Sequence, residues 1–428
     1  MKLKALVGVL AVAGLAMPGI SSATNGYFSH GYGMTAKGMG GAATAMSKDT
    51  FGGANNPASM VFVGDRMDVG VDWFRPIRSA ERAGGTAFGG SMNGTHDSGS
   101  EDFAVPEFGF NMMMGDKMSF GVTVYGNGGM NSDYEGLKFG GGTANMLGGT
   151  TRMGVDLLQL VIAPTFAYKL TEQHSVGVSP LIGYQRFKAE GLQGFNLLSH
   201  DASYLTNQGY DNALGYGVRL GYMGKLNDMV TVGAAYSSKI KMSSFDKYRG
   251  LFAEQGDFDM PENWNVGIAI KPIPSTTIAL DYQRINYSDV KAIANPSTNA
   301  LLGAKLGNAD GPGFGWGDVE VLKLGVEYAY SPKLTLRAGV SKSDNPIQSR
   351  DVTFNILAPG VVTDHYTLGF TYGLGRDSEI TMSYMHAKEN SVTGDSLLTA
   401  MSGGVNNYGT EKIKMYQDSL GIAYGMKF

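Results

Sequence analysis

The sequence predicts an all-β protein, a 14-stranded antiparallel transmembrane β-barrel with an N-terminal plug, or hatch, inside its lumen. Three observations predict it. The C-terminal segment alternates large apolar with small or polar side chains, short turns alternate with long loops, and an apolar leader is followed by no run long enough for a helical span.

The leader comes first. Lys2 and Lys4 precede an apolar run from Ala5 to Ala16, and Ser21, Ser22 and Ala23 place small residues at a cleavage position. This is the order of a secretory signal, assigned to 1–23 with a mature start at Thr24. Secretion, alternating strands and the lack of a later apolar run of about eighteen residues point to the outer membrane of a diderm bacterium.

Composition narrows the class further. The 428 residues include no Cys, only 17% are charged and the formal net charge is -4, so neither a disulfide scaffold nor a nucleic-acid footprint is indicated. The chain carries 63 Gly and 11% aromatics at a mean hydropathy near zero. A barrel hides its hydrophobicity by alternation and needs small residues at crowded positions.

Residues 24–62 precede the first convincing strand, near Arg66 to Ile77, and do not alternate. They include Lys37-Gly-Met-Gly-Gly-Ala and Asn55-Asn56-Pro57-Ala58-Ser59-Met60. A fourteen-stranded barrel leaves an open lumen, and about forty glycine-rich residues could fill it as a hatch. Residues 63–428 are then the barrel.

Within the barrel, period two separates a lipid face from a lumen face. Trp264, Val266, Ile268 and Ile270 share one face, as do Leu322, Leu324, Val326, Tyr328 and Tyr330, and Tyr366, Leu368, Phe370 and Tyr372. Lys323, Glu327, Arg337 and Thr367 fall on the other, the mark of a water-accessible interior. Leu368→Arg is therefore expected to cost about 2–4 kcal/mol near the midplane, and Thr367→Arg much less. In the last strand Tyr416, Leu420, Ile422, Tyr424, Met426 and Phe428 face outward, against Gln417, Ser419, Gly421, Ala423, Gly425 and Lys427.

Short turns fall near Met114–Lys117, Leu170–His174, Lys225–Asp228, Pro272–Ser275, Ser331–Lys333 and Gly375–Ser378. Longer connections fall near Ser79–Glu101, Asn127–Gly154, Gly191–Asp211, Ser243–Pro261, Asp289–Gly317, Asn345–Gly360 and Ser391–Glu411. Six short turns and seven long loops join fourteen strands, with both termini on the periplasmic side. The third strand, Ser119 to Gly126, carries Gly121 and ends on Gly126, and glycine in a strand permits a bulge or kink.

Several of these segments resemble a known family, the outer-membrane transporters of long-chain fatty acids and other hydrophobic compounds called the FadL family. The resemblance rests on Gly38-Met-Gly-Gly-Ala followed by Asn56-Pro57-Ala58, on Pro261-Glu-Asn-Trp264, on Trp316-Gly-Asp, on Lys323-Leu-Gly-Val-Glu-Tyr, on Arg337-Ala-Gly with Asn345-Pro-Ile, and on Ser383-Tyr-Met-His386. It spans the mature chain in order. It implies a barrel closed by an N-terminal hatch, with Asn56, Pro57 and Ala58 as the hatch motif. It also implies capture of hydrophobic ligand by extracellular loops and sideways exit at an inward kink of the third strand. Gly121 and Gly126 are the candidates for that kink.

Two loops are apolar enough to catch such a ligand. Met130, Leu137, Phe139, Met146 and Leu147 lie in one, and Phe195, Leu197 and Leu198 in the next. Apolar side chains in an exposed loop need a partner surface, which a groove between two loops supplies. A fatty-acid carboxylate would favour a basic partner, for which Arg152 and Arg186 are candidates. Where the family's carboxylate-contacting basic residues would align stand Gly191 and Pro312, which suits a neutral hydrocarbon or aromatic instead.

The expected function is passive uptake of hydrophobic molecules, long-chain fatty acids first, with neutral hydrocarbons or aromatics as the alternative within transport. A structural or adhesin barrel is the alternative of another class. No Gly-x-Ser-x-Gly elbow, His-Glu-x-x-His helix or phosphate-binding loop occurs, so catalysis is not expected, nor is a cofactor or metal. The expected partners are the hydrophobic ligand, outer-membrane lipid and lipopolysaccharide, with no nucleic acid, and a closed single-chain barrel needs no second copy.

Overall fold

Strand follows strand around a ring, each antiparallel to the one before it, until the last pairs with the first. The computed structural model describes residues 25–87, 90–135 and 144–428, so the expected leader and the expected ligand contacts Leu137 and Phe139 lie outside the described residues. The fourteen wall strands are β1 (Arg66–Ala83), β2 (Phe103–Met113), β3 (Met118–Tyr134), β4 (Met153–Lys169), β5 (His174–Glu190), β6 (Asp211–Lys225) and β7 (Val230–Ser237), then β8 (Asn263–Ile273), β9 (Thr276–Ile285), β10 (Val319–Ser331), β11 (Leu334–Ser343), β12 (Asp364–Gly373), β13 (Ser378–Asp395) and β14 (Thr410–Lys427). Two short strands, Gly94–Asp97 and Lys241–Met242, only raise the rim beside β1 and β6. Closure runs from Arg66 opposite Lys427 to Ala83 opposite Thr410, which removes the unpaired edges that lipid cannot tolerate.

The outward parity is apolar at the turn end of the barrel. Leu420, Ile422 and Tyr424 of β14 are exposed while Gly421 and Ala423 between them, and Ser419 and Gly425 on either side, are buried. Nearer the loops the polarity of the two faces reverses. On β14 the inward residues become Ile413 and Met415 and the outward ones Lys412 and Lys414; on β5 Phe187 and Ala189 point in, with Arg186 and Lys188 outside. The wall thus rises beyond the apolar band, and there it encloses a hydrophobic core shared with the loops.

Residues 25–65 lie inside this wall. A helix at Met34–Lys37 and 3-10 turns at Thr50–Gly53 and Pro57–Phe62 are held by inward side chains from strands on opposite sides of the ring. Gly40 N–H donates to Thr367 Oγ1 on β12 at 2.8 Å, Ala43 and Thr44 N–H both donate to Asp281 Oδ2 on β9 at 2.8 Å, and Thr50 N–H donates to Asp68 Oδ2 on β1 at 3.0 Å. Lys37 Nζ sits 2.7 Å from Asp72 and 3.9 Å from Glu107. Burial alone would push the Lys37 ammonium down, but these two carboxylates hold it above the ordinary lysine value.

Three sequence expectations are corrected. The third strand continues past Gly126 to Tyr134, so Met130 belongs to the wall and not to a loop. The first and thirteenth strands likewise run on, to Ala83 and Asp395, where loops were expected. Thr367 faces no open lumen: it is buried against the hatch backbone at Gly40.

Candidate functional site

Beyond Phe108 and Val124 the wall parts. β2 pairs β3 only from Phe108 opposite Val124 to Met113 opposite Ser119, while β1 continues to hold β2 up to Phe103. No ladder joins Phe103–Glu107 to β3, and Pro106, which has no N–H to offer, lies in that unpaired stretch. At the loop end the gap is closed by Gly99 N–H donating to Asp133 O at 2.8 Å and Asp133 N–H donating to Ser98 Oγ at 3.0 Å.

The departure of β3 has a local cause. Opposite β4 its register slips, Gly126 facing Leu160 and Gly128 facing Gln159, so Asn127 is an extra residue that bends the strand. From Tyr125 to Met130 every residue is buried, which marks an inward bend, and the inward parity passes from Thr123 and Tyr125 to Gly128, Met130 and Ser132. Gly121 stays in even register between Asn111 and Thr165, so the irregularity belongs to Gly126–Gly128 and not to Gly121. A shorter break between β4 and β5, where Pro164 and Pro180 stand, is bridged from inside by the Thr165 and Ser179 hydroxyls 2.7 Å apart.

The bent stretch of β3 carries the start of the hatch. Ser29 N–H donates to Asn127 O at 3.1 Å and Gly129 N–H to Tyr27 O at 3.2 Å. A Cβ at Gly128 would collide with the Tyr27 carbonyl, so glycine is required for this approach. Tyr287, from the loop after β9, clamps the same turn: its hydroxyl accepts from Tyr27 N–H at 3.1 Å and Phe28 N–H at 3.3 Å and donates to Asn25 O. Burial pushes its ionisation far above the usual phenol range, so it remains a neutral donor.

Two apolar cavities flank this turn. The inner one, about 20 Å³ in volume, is lined by Tyr27, Phe74, Arg78, Met130, Trp316 and Met415 among others and lies beside the gap. The outer one, about 30 Å³, lies among the loops and is lined by Phe187, Leu192, Phe195, Phe252, Phe314 and Phe354 with neighbours that include Pro312. Both are closely packed, so a ligand larger than a water molecule enters only by parting their apolar walls. Aromatic rings stand between them: Phe252 to Phe258 at 4.8 Å, Phe258 to Tyr27 at 6.2 Å and Tyr27 to Trp316 at 5.8 Å.

Among the predicted contacts, Met130 lines the inner cavity and Phe195 the outer one, where it stacks on Phe354 at 5.2 Å. Leu198 packs at the margin of the core, whereas Leu197 is 90% exposed and points away. Met146 and Leu147 are buried in the loop core, and the Met146 carbonyl accepts from Arg82 Nη2 at 2.9 Å instead of meeting a cavity. The cavity found lies among four loops and not two: Leu251 comes from the loop after β7, Ala292 and Leu306 from that after β9, Leu357 from that after β11, and Leu192 and Phe195 from that after β5.

Neither predicted cation reaches a cavity. Arg152 is half-exposed and paired with Asp133 and Glu135; Arg186 lies on the outer face, its guanidinium carbon 4.4 Å from the Tyr210 ring centre. Opposite charges satisfy Arg152, whereas Arg186 is covered by the Tyr210 ring and its Nε has no hydrogen-bond partner. The hatch motif is fully inside: Asn56 Oδ1 accepts from Ala58 N–H at 3.1 Å, its Nδ2 donates to Thr44 O at 2.8 Å and Tyr222 O at 2.9 Å, and Ser175 Oγ donates to Ala58 O at 2.8 Å. Side chains at Gly177 or Gly221 would occupy the space of this motif. Arg78, Tyr27 and Trp316 were not singled out as ligand contacts, and only the even parity that Arg78 shares with Phe74 and Pro76 signals its inward direction. Among the described residues no three His, Asp or Glu side chains converge as metal ligands.

A closed transmembrane barrel with an inner hatch is the architecture of a class of outer-membrane channels. The chain belongs to the outer membrane protein transport family (OMPP1/FadL/TodX), whose model matches residues 23–427. It is thus an outer-membrane transport protein. No curated protein matches it in sequence. Among solved structures it is similar to the toluene transporter TodX of P. putida, at 19% identity and a TM-score of 0.69 over 93% of this chain and 99% of that one. It is also similar to a Pseudomonas aeruginosa FadL homologue, at 14% identity and 0.69 over 94% and 100%. The Ralstonia pickettii toluene transporter TbuX matches at 20% identity and 0.61 over 93% and 99%. At these identities the likeness concerns the fold.

Proposed function

We propose that the protein imports hydrophobic molecules, long-chain fatty acids first, by capture in the outer cavity, passage to the inner one and sideways exit between β2 and β3. The observation that carries this reading is the unpaired stretch of wall beside an apolar cavity, above a hatch bonded to strands on all sides of the ring. An apolar chain gains about 0.8 kcal/mol per CH₂ on reaching hydrocarbon, so lateral exit drives uptake and spares the ligand the aqueous periplasm. Asn56, Pro57 and Ala58 keep the hatch seated, which denies ions an open pore. A second reading, uptake of neutral aromatics, is supported by the rings of Tyr27, Trp316 and Phe258 along the path and by the toluene transporters among the similar structures.

The test is uptake of labelled oleate and labelled toluene by cells stripped of related transporters, carrying this gene, none, or a version lacking Asn127. Oleate uptake that depends on the gene and is lost on deleting Asn127, with the barrel still assembled, is expected. Toluene uptake alone moves the reading to aromatics. Uptake indifferent to the gene for both solutes rejects transport.

A further inference from the structure

Arg78 is a buried cation without an anion. Its side chain comes from the inward face of β1, 3% exposed, at the loop-side edge of the gap. One nitrogen, Nη1, donates to the Asn131 carbonyl across the gap, while Nε and Nη2 have no hydrogen-bond partner. The guanidinium carbon lies 5.7 Å from the Phe103 ring centre, and no carboxylate pairs with it among the described residues.

Other inward arginines are treated differently. Arg66 holds Asp68 at 2.7 Å, Arg337 holds Glu327 at 2.9 Å and Arg82 is paired with Glu411; Arg219, which has no carboxylate either, donates to Asn263 Oδ1 at 2.8 Å with its Nε idle, but lines neither apolar cavity. A desolvated guanidinium with two idle donors is costly, and its forked N–H groups match a planar carboxylate. Around it the inner cavity is apolar: Tyr27, Phe74, Met130, Trp316 and Met415. The Asn131 side-chain oxygen, also without a partner there, presents an N–H instead when the amide is turned over.

We propose that Arg78 is the headgroup anchor of the inner cavity, binding the compact anionic head of a single-chain amphiphile, a carboxylate, while the alkyl tail occupies the apolar lining. This assignment rests on the transport reading above and adds its selectivity. The acid is held at the edge of the gap by Arg78, so its tail is presented to the unpaired stretch of β2. A neutral hydrocarbon in the same cavity makes no use of the idle donors, and an alcohol accepts only an uncharged single bond from them, weaker than a carboxylate's.

The experiment measures laurate and dodecanol binding to the purified full-length barrel in a non-ionic detergent, by calorimetry and by Trp316 fluorescence in a background where Trp73 and Trp264 are Phe. Arg78→Gln is expected to weaken laurate about tenfold to hundredfold while leaving dodecanol nearly unchanged. Arg78→Lys keeps part of the laurate preference. Arginine is the stronger base at the same buried position, so the wild-type preference persists to higher pH than that of Arg78→Lys, whose ammonium titrates first. The barrel's heat-shifted mobility on a gel reports that each variant is folded, and loss of an unpaired charge is not expected to weaken it. Equal losses for laurate and dodecanol, or no loss for either, overturn the assignment and leave transport standing. Failure of the wild type to bind either probe overturns both.

Discussion

Phe314 and Trp316 stand 6.3 Å apart, ring centre to ring centre, and each lines a different cavity. Asn355 fastens both: its Oδ1 accepts from Trp316 Nε1 at 2.6 Å and its Nδ2 donates to the Phe314 carbonyl at 2.7 Å. The partition between the cavities is thus a single hydrogen-bonded unit built by two loops.

Trp316→Phe keeps a ring in the partition but leaves the buried Asn355 oxygen unpaired. The expected cost is about 1–3 kcal/mol, read as a lower denaturant midpoint in detergent. An unchanged midpoint would show that the bond does not hold the partition.

Lys37→Met strands two buried carboxylates, Asp72 and Glu107, inside the barrel. Removing one partner of a buried pair costs about 3–5 kcal/mol, so the hatch of this variant should be released first. Protease cleavage within residues 25–62, together with a large steady ion conductance in planar bilayers, is the expected signature. Asp72→Asn added to Lys37→Met should recover part of the loss, and a double variant as open as the single one counts against charge as the cause.

Leu368→Arg and Thr367→Arg separate the two faces of β12. Leu368 is 61% exposed to the lipid side, and Arg there should cost about 2–4 kcal/mol of barrel folding near the midplane. Thr367 accepts from Gly40 N–H, so Arg at that position displaces the hatch and raises conductance while the barrel still assembles. Assembly defects of equal size in both variants contradict the assigned faces.

His30 gives the hatch a pH dependence. Burial, then the His365 ring stacked at 6.0 Å and the Lys37 and Lys323 ammonium groups, push His30 well below the ordinary imidazole value. Between the folded value and the unfolded one near 6.5 the unfolded chain binds more protons, so stability is full above about pH 6.5 and falls as the pH drops. Melting curves at pH 7.5 and 5 should show a smaller acid loss for His30→Gln than for the wild type. Equal losses in the two proteins remove His30 from the explanation.

Lipid imposes period two, and this made the wall legible in the sequence: Leu420, Ile422 and Tyr424 are exposed and the short turns and long loops alternate as expected. Beyond Gly126 the same rule failed for a physical reason. The extra residue Asn127 shifts the inward set from odd to even numbers, so Met130, Ser132 and Tyr134 read as loop. The hatch has no period, and its seat depends on single bonds such as Thr44 to Asp281 that no local pattern announces. Charge alone pointed to Arg152 and Arg186, whereas strand parity places Arg186 outside and Arg78 inside.

The reversal of face polarity along β5 and β14 has a consequence for how the molecule comes apart. Its turn-side half is wrapped by hydrocarbon and has little to lose to agents dissolved in water. Its loop-side half is built like a water-soluble protein, with Phe187, Ile413 and Met415 sheltered from solvent and lysines facing it. Urea is therefore expected to loosen that half first, with the lipid-wrapped strand ends persisting longer. The two ends of one continuous strand thereby obey different solvents.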